Sequence, residues 1–150
     1  MSEKDHYWMQ KALALARNAE AQGEVPVGAI IVLDDQIIGQ GWNQPIASQD
    51  ATAHAEIVAL RQACQTMQNY RLPGSEIYIT LEPCMMCAGA LVHARIARCI
   101  YATAEPKTGA AGSCIDAFAL PNLNHQVECT ANVLKEESSQ LIKNFFKARR

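Results

Sequence analysis

The chain has 150 residues, 49% of them hydrophobic, enough to bury one continuous core and the size of one ordinary domain. A formal net charge of -2 excludes a protein that grips nucleic acid through a broad cationic field, because that mode neutralises many phosphates, although a local basic patch is still allowed. The start is polar (Met1-Ser2-Glu3-Lys4-Asp5) and no stretch approaches the roughly 20 apolar residues of a membrane span. A soluble, cytoplasmic protein with no membrane segment is therefore expected, and its six cysteines should be reduced thiols, for which pairing means metal or redox chemistry.

From Asp5 to about Ala21 the residues Trp8, Met9, Ala12, Leu13, Ala16 and Ala19 recur at helical intervals, with Asp5 as the expected N-cap and Gly23 as the stop. Two β-branched runs, Val27 to Val32 and Ile37-Ile38, flank Asp34-Asp35 and predict a hairpin whose second strand is broken by Gly39 and Gly41. After a loop through Asn43, Pro45 and Ser48, the spacing of Ile57, Leu60, Ala63 and Cys64 predicts a helix from about Ala53 to Met67. Pro73-Gly74 marks a turn, Glu76 to Leu81 reads as a strand, and Pro83 is expected at the first position of a helix running to about Ile96. Cys99 to Tyr101 is the next strand, so strand-helix-strand forms a parallel βαβ unit. A loop from Thr108 to Ser113, a weakly helical stretch from Ile115 to Leu120, a weak strand near Val127 to Cys129 and a helix from about Val133 to Arg150 complete the chain. This order implies a three-layer α/β/α sandwich around a mixed five-stranded sheet, as one domain over residues 1–150.

His54-Ala55-Glu56 lies 30 positions before Cys84-Met85-Met86-Cys87, and both segments sit at predicted helix starts. One imidazole and two thiolates are the ligand count of a catalytic zinc site that keeps its fourth position for water, whose pKa then falls from about 15.7 to about 7. Helix starts favour thiolate, because unpaired N–H groups and the macrodipole stabilise negative charge. A carboxylate ligand at Glu56 would close the open position, so a proton-shuttling acid/base role suits it better. With Pro83, the pattern is the H-x-E and P-C-x-x-C signature of zinc deaminases. Two competitors remain: a redox Cys-x-x-Cys pair, and a structural zinc site closed by Cys64, Cys99, Cys114 or Cys129.

Other features carry plainer readings. Cys64, Cys99 and Cys129 lie in apolar patterns and are expected in the core. His6, His93 and His125 have no ligand-spaced partner. Asn43 is either a turn residue or a hydrogen-bonding group for a ribose or base. The stretch Lys107 to Ser113 lacks phosphate-loop spacing and reads as a structural turn. At the C-terminus Phe145 and Phe146 stand among Lys143, Lys147, Arg149 and Arg150, either docking the rings in the core or pairing cations with base-stacking aromatics.

Over nearly its whole length the chain resembles the bacterial tRNA-specific adenosine deaminases (the TadA type), within the cytidine deaminase-like superfamily. The likeness rests on Glu24-Val25-Pro26-Val27-Gly28-Ala29, Gly41-Trp42-Asn43, Thr52 to Ile57, Asn69 to Leu72, Thr80 to Cys84, Lys107 to Ser113 and the aromatic basic tail. It implies a homodimer with one Zn2+ per chain held by His54, Cys84 and Cys87, acting on the wobble adenosine of a tRNA anticodon stem-loop. It further implies a flipped base between Val27, Asn43 and the metal, backbone N–H groups near Ala55 and Cys84 orienting water or base, and RNA contacts from Phe145, Phe146, Arg149 and Arg150. Ala51 stands where some relatives are expected to have proline, and Glu105 where aspartate is expected. The alternatives are a deaminase of a free base or nucleoside, which has no need of the tail, and a zinc-stabilised RNA-binding module without catalysis.

Overall fold

The computed structural model describes residues 2–149. Its elements are α1 (Glu3–Ala21), β1 (Gly28–Leu33), β2 (Gln36–Trp42), α2 (Pro45–Ser48), α3 (Ala55–Met67), β3 (Glu76–Leu81), α4 (Met85–His93), β4 (Arg98–Thr103), a 3-10 turn (Ala117–Ala119), β5 (Glu128–Thr130) and α5 (Lys135–Lys147). Several boundaries differ from expectation for local reasons. Ser2, not Asp5, caps α1: its hydroxyl accepts from the Asp5 N–H at 3.1 Å, which leaves Asp5 free to turn inward. Pro83 precedes the cap Cys84 instead of opening α4, and α4 stops at His93. On α3 the buried residues are Ala55, Glu56, Ala59, Leu60 and Ala63, with Ile57 and Cys64 at the margin of that face.

The sheet order is β2-β1-β3-β4-β5. β1 pairs antiparallel with both β2 and β3, while β3-β4 and β4-β5 are parallel. Asp34 and Asp35 take left-handed backbone, with φ of 51° and 61°, the conformation a two-residue hairpin between twisted strands requires. Central strands are apolar on both faces. Ala29, Ile31, Ile77, Ile79 and Cys99 face α3 and α4, whereas Ile30, Val32, Tyr78, Ile100 and Ala102 meet Trp8, Met9, Ala12 and Leu15 of α1. The α/β/α sandwich with a mixed five-stranded sheet is thus the observed architecture.

Gly39 and Gly41 do not break β2, which runs on to Trp42. They let α3 lie close: a Cβ at Gly39 would stand 2.4 Å from the Ala59 carbonyl oxygen, and one at Gly41 would stand 2.7 Å from Val58 Cβ. Residues read as strand breakers are therefore a helix-sheet seam, with Ala55, Ala59 and Ala63 completing it from the helix side. Cys99 is buried as expected. Cys129, on the edge strand β5, is exposed because that strand has no outer cover.

At the amino ends of the parallel strands, Arg98 of β4 ties four elements together. Its guanidinium meets Asp5 of α1 at 2.6 and 3.0 Å, Glu76 of β3 at 3.1 Å and the Thr130 hydroxyl of β5 at 3.1 Å, and Tyr78 donates to Asp5 at 3.0 Å. Burial disfavours the Asp5 charge, but the bonds from Arg98 and Tyr78 outweigh it and hold the carboxyl below its ordinary 3.8.

Two stability measurements follow from these contacts. Asp5→Asn should cost about 2–3 kcal/mol in urea unfolding at about pH 7. Because a lowered carboxylate pKa stabilises above its unfolded value and the gain is lost as pH falls through the folded one, the gap from the parent should narrow at about pH 3. Gly39→Ala should lose at least about 2 kcal/mol through the clash with α3.

Candidate active site

Since β1 alone runs against its neighbours, β2, β3, β4 and β5 all point the same way and their connections leave from one edge. Residues 43–54 follow β2, 82–84 follow β3 and 104–113 follow β4, while Val25 and Val27 enter β1 from that edge. Open α/β sheets bind ligands outside the carboxyl ends of their strands. The loop after β2 is firmly placed: Asn43 N–H donates to the Val27 carbonyl and Gln44 N–H to that of Ala53, both at 3.0 Å. Glu24, 2% exposed, accepts from the N–H groups of Ile46 (3.3 Å) and Ala47 (2.8 Å) in α2.

His54 and Cys84 occupy the N-cap positions of α3 and α4, with neither side chain spent on capping its helix. Instead the His54 Nδ1 lies 3.6 Å from the sulfur of Cys84 and 3.6 Å from that of Cys87. All three donor atoms lie within 4.8 Å of one another. In a tetrahedron with metal–sulfur bonds of about 2.3 Å and metal–nitrogen bonds of about 2.0–2.1 Å, the sulfur-to-nitrogen edge is about 3.6 Å. The residues therefore fit a tetrahedral metal ion with one position left open. Among the described residues no other cysteine joins the group, so Cys64, Cys99, Cys114 and Cys129 do not close it as a fourth ligand.

The three ligand side chains and Glu56 differ in how readily they hold a proton. The Cys87 thiol hydrogen-bonds Cys84 and, with His54, brings the Cys84 pKa down to about 4; the same bond and burial drive Cys87 upward. His54 is raised, first by Cys84 and then by the charge of Glu56. Glu56, 4% exposed, is pushed up to about 7, chiefly by burial and further by the Cys84 charge. A carboxyl poised there can hold or release a proton at neutral pH.

The mouth of the site is lined by Val25, Val27, Asn43, Leu81, Glu105 and Thr108 together with His54, Glu56, Glu82 and Cys84. Val27 and Asn43 thus meet the metal group in one pocket. Ala55 is fully buried and presents only backbone, its N–H being one of the donors a helix start leaves unpaired. The tail residues lie on α5 and just beyond. Phe145 is 4% exposed, Phe146 is 45% exposed and packs edge-on against it, and the Arg149 guanidinium stacks 3.6 Å above the Phe145 ring. Arg150 falls outside the described residues.

Two residues escaped the sequence reading in their roles, Glu24 and Glu82, both buried acids. The available signal was an acidic side chain placed directly after the apolar strand Ile77 to Leu81. Glu82 takes the N–H groups of Ala111 and Ser113 at 2.9 and 3.1 Å, so the stretch after Lys107 is a turn built on a carboxylate and not a phosphate cradle.

Metal loading must expel thiol protons, because the ligand is the thiolate. Affinity should therefore fall at least about tenfold for each unit of pH lowered across the neutral range, measured by competition with a chromophoric chelator. A pH-independent affinity would contradict the proton inventory.

Comparison with known proteins agrees with this geometry. The profile of the MafB19-like deaminase family matches residues 3–150. The tRNA-specific adenosine deaminase of Haemophilus influenzae is 52% identical over 99% of this chain and 87% of its own length. That of Buchnera aphidicola subsp. Schizaphis graminum is 41% identical over 99% and 98%. A solved structure from work on A-to-I editing by tRNA:A34 deaminases at the wobble position of transfer RNA superposes with a TM-score of 0.87 at 41% identity, covering 90% of this chain and 98% of that one. The chain belongs to the bacterial tRNA-specific adenosine deaminases, within the cytidine deaminase-like superfamily.

Proposed function

We propose that this chain converts the wobble adenosine of a tRNA anticodon to inosine, with one Zn2+ held by His54, Cys84 and Cys87 and with Glu56 as proton shuttle. The observation that carries the reading is the buried Glu56 beside three metal-ligating atoms in a pocket that Val27 and Asn43 also line. When bound, the ion supplies a Lewis acid that makes water a nucleophile near neutral pH.

This chain's own groups do the rest. Glu56 takes a proton from the attacking water and delivers it to N1 of the adenine, while the water oxygen bonds to C6. Glu56 then takes the remaining proton from the new C6 hydroxyl and passes it to the C6 amine; the C–N bond breaks as C6=O forms, ammonia leaves and inosine remains. Val27 packs the base face and the Asn43 amide hydrogen-bonds the nucleoside, and the backbone N–H groups at Ala55 and Cys84 orient water and base. An anticodon loop suits such a pocket because its bases are already splayed, which avoids an unstacking cost of a few kcal/mol. Lys143, Lys147 and Arg149 are exposed on and beyond α5 beside Phe146, a cationic and aromatic surface of the kind that holds single-stranded RNA. Buried Phe145 serves it as the platform under Arg149, and Arg150, outside the described residues, is proposed as a further RNA contact.

The same reading makes residues 1–150 a single deaminase domain working in the cytoplasm as a homodimer. In its support, no helix among the described residues is long and apolar enough to cross a membrane. The outer face of α3 and α4 also carries apolar hollows lined by Ile57, Leu60 and Ala90 and by Ala88 and Val92, with Met85 and Tyr70 exposed at 68% and 70%.

Glu56→Gln should retain about one zinc per chain yet lose at least about 100-fold in turnover of an adenosine-bearing anticodon stem-loop. Turnover near that of the parent would remove Glu56 as shuttle. Truncation before Phe146, which spares the buried Phe145, should raise the stem-loop KM about tenfold. Unchanged stem-loop kinetics would remove the tail as an RNA contact.

A further inference from the structure

Glu82 links the metal-ligand segment to the opposite wall of the pocket. It is 3% exposed and stands two residues before Cys84. One carboxylate oxygen accepts from the Glu105 N–H at 3.0 Å and from the Ser113 hydroxyl. The other accepts from the N–H groups of Ala111 at 2.9 Å and Ser113 at 3.1 Å. Around it the loop is pinned to the same segment by backbone, through a bond from Ala110 N–H to the Pro83 carbonyl at 2.8 Å and a bridge between Cys84 and Gly109. A Cβ at Gly109 would stand 2.4 Å from the Glu82 carboxyl carbon, so the loop is seated directly on that group.

The loop held this way contributes Glu105 and Thr108 to the pocket that His54 and Glu56 also line. Without the carboxylate, three backbone N–H groups in a part-buried turn would lose their acceptor, a state the fold can relieve only by moving the loop. Glu82 itself does not belong to the metal group.

We infer that Glu82 is a positioning residue for substrate: its carboxylate fixes residues 105–113 as a preformed pocket wall and thereby sets how tightly the RNA is held, without taking part in proton transfer. This rests on the proposed anticodon deamination for its kinetic reading, and on the loop hydrogen bonds alone for its structural one. The isosteric change Glu82→Gln is the most informative, because whichever way the amide turns, its NH2 group faces at least one backbone N–H. Gly109 and the backbone bonds to Pro83 remain, so the loop is loosened and not released.

The test uses the zinc-loaded full chain and reads metal content, amide hydrogen exchange and stem-loop kinetics together. Glu82→Gln should keep about one zinc per chain, speed exchange at the Glu105, Ala111 and Ser113 amides by about tenfold or more, and leave the Ile79 amide unchanged. The stem-loop KM should rise about tenfold while kcat stays within about threefold, the size expected for losing one charge-assisted anchor. Ser113→Ala, which removes one donor and keeps the carboxylate, should give a smaller KM rise of the same kind. Unchanged exchange and KM in Glu82→Gln would overturn the inference, as would a fall in kcat at constant KM. Should Glu82→Gln fail to fold, an unaltered KM and exchange pattern in Ser113→Ala would overturn it. A parent protein inert toward the stem-loop would defeat the proposed function alone, because the exchange rates would still decide whether Glu82 holds the loop.

Discussion

One constraint organises this molecule: a histidine nitrogen and two cysteine sulfurs from two different helices must meet within a few ångströms, at the mouth of a pocket. Helix starts make this feasible, because they place side chains at the rim of a sheet and supply unpaired N–H groups where thiolates sit. The rim itself is defined by the reversed β1, which turns the ends of β2, β3 and β4 to one side. The Gly39-Gly41 seam then sets the depth at which α3 lies on the sheet, and so the height at which His54 and Glu56 arrive. The Arg98 cluster secures the other end of the same strands, far from the chemistry in fold terms and rich in fixed charge.

Three of the four buried acids among the described residues, Asp5, Glu56 and Glu82, share a chemistry and differ in fate. Burial raises each of them toward neutrality. Asp5 answers with Arg98 and Tyr78, and Glu82 with Ser113 and three backbone N–H groups, so both are held below the ordinary carboxylate range. At Glu56 burial is the largest effect and the negative Cys84 beside it adds to it, which outweighs its backbone N–H, His54 and the Cys87 thiol, so it rises to about 7. The balance between burial and the donors that answer it separates a structural carboxylate from one fit to move protons.

Much of this was legible in the sequence. The hairpin at Asp34-Asp35, the strand from Glu76 to Leu81 and the convergence of His54 with Cys84 and Cys87 follow from local patterns with little interference from tertiary structure. Where expectation and structure part, a contact distant in sequence decides. Gly39 and Gly41 look like breakers until α3 is laid over them, and Asp5 looks like a cap until Arg98, 93 residues away, claims it. Phe145 and Phe146 are equivalent as letters, yet helical phase buries one and exposes the other. Glu82 was read only as part of a family motif, because its partners at 105, 111 and 113 lie beyond any local window.

The central claim is that the pocket at this rim acts on adenosine in the first anticodon position. The most direct measurement is incubation of the zinc-loaded protein with a mixed tRNA pool, followed by sequencing of every position for A-to-I conversion. The account predicts inosine at the wobble position of adenosine-bearing anticodons, with ammonia released in equal amount and no conversion in stems. Absence of inosine from every anticodon loop, or conversion spread over unrelated adenosines, would contradict it.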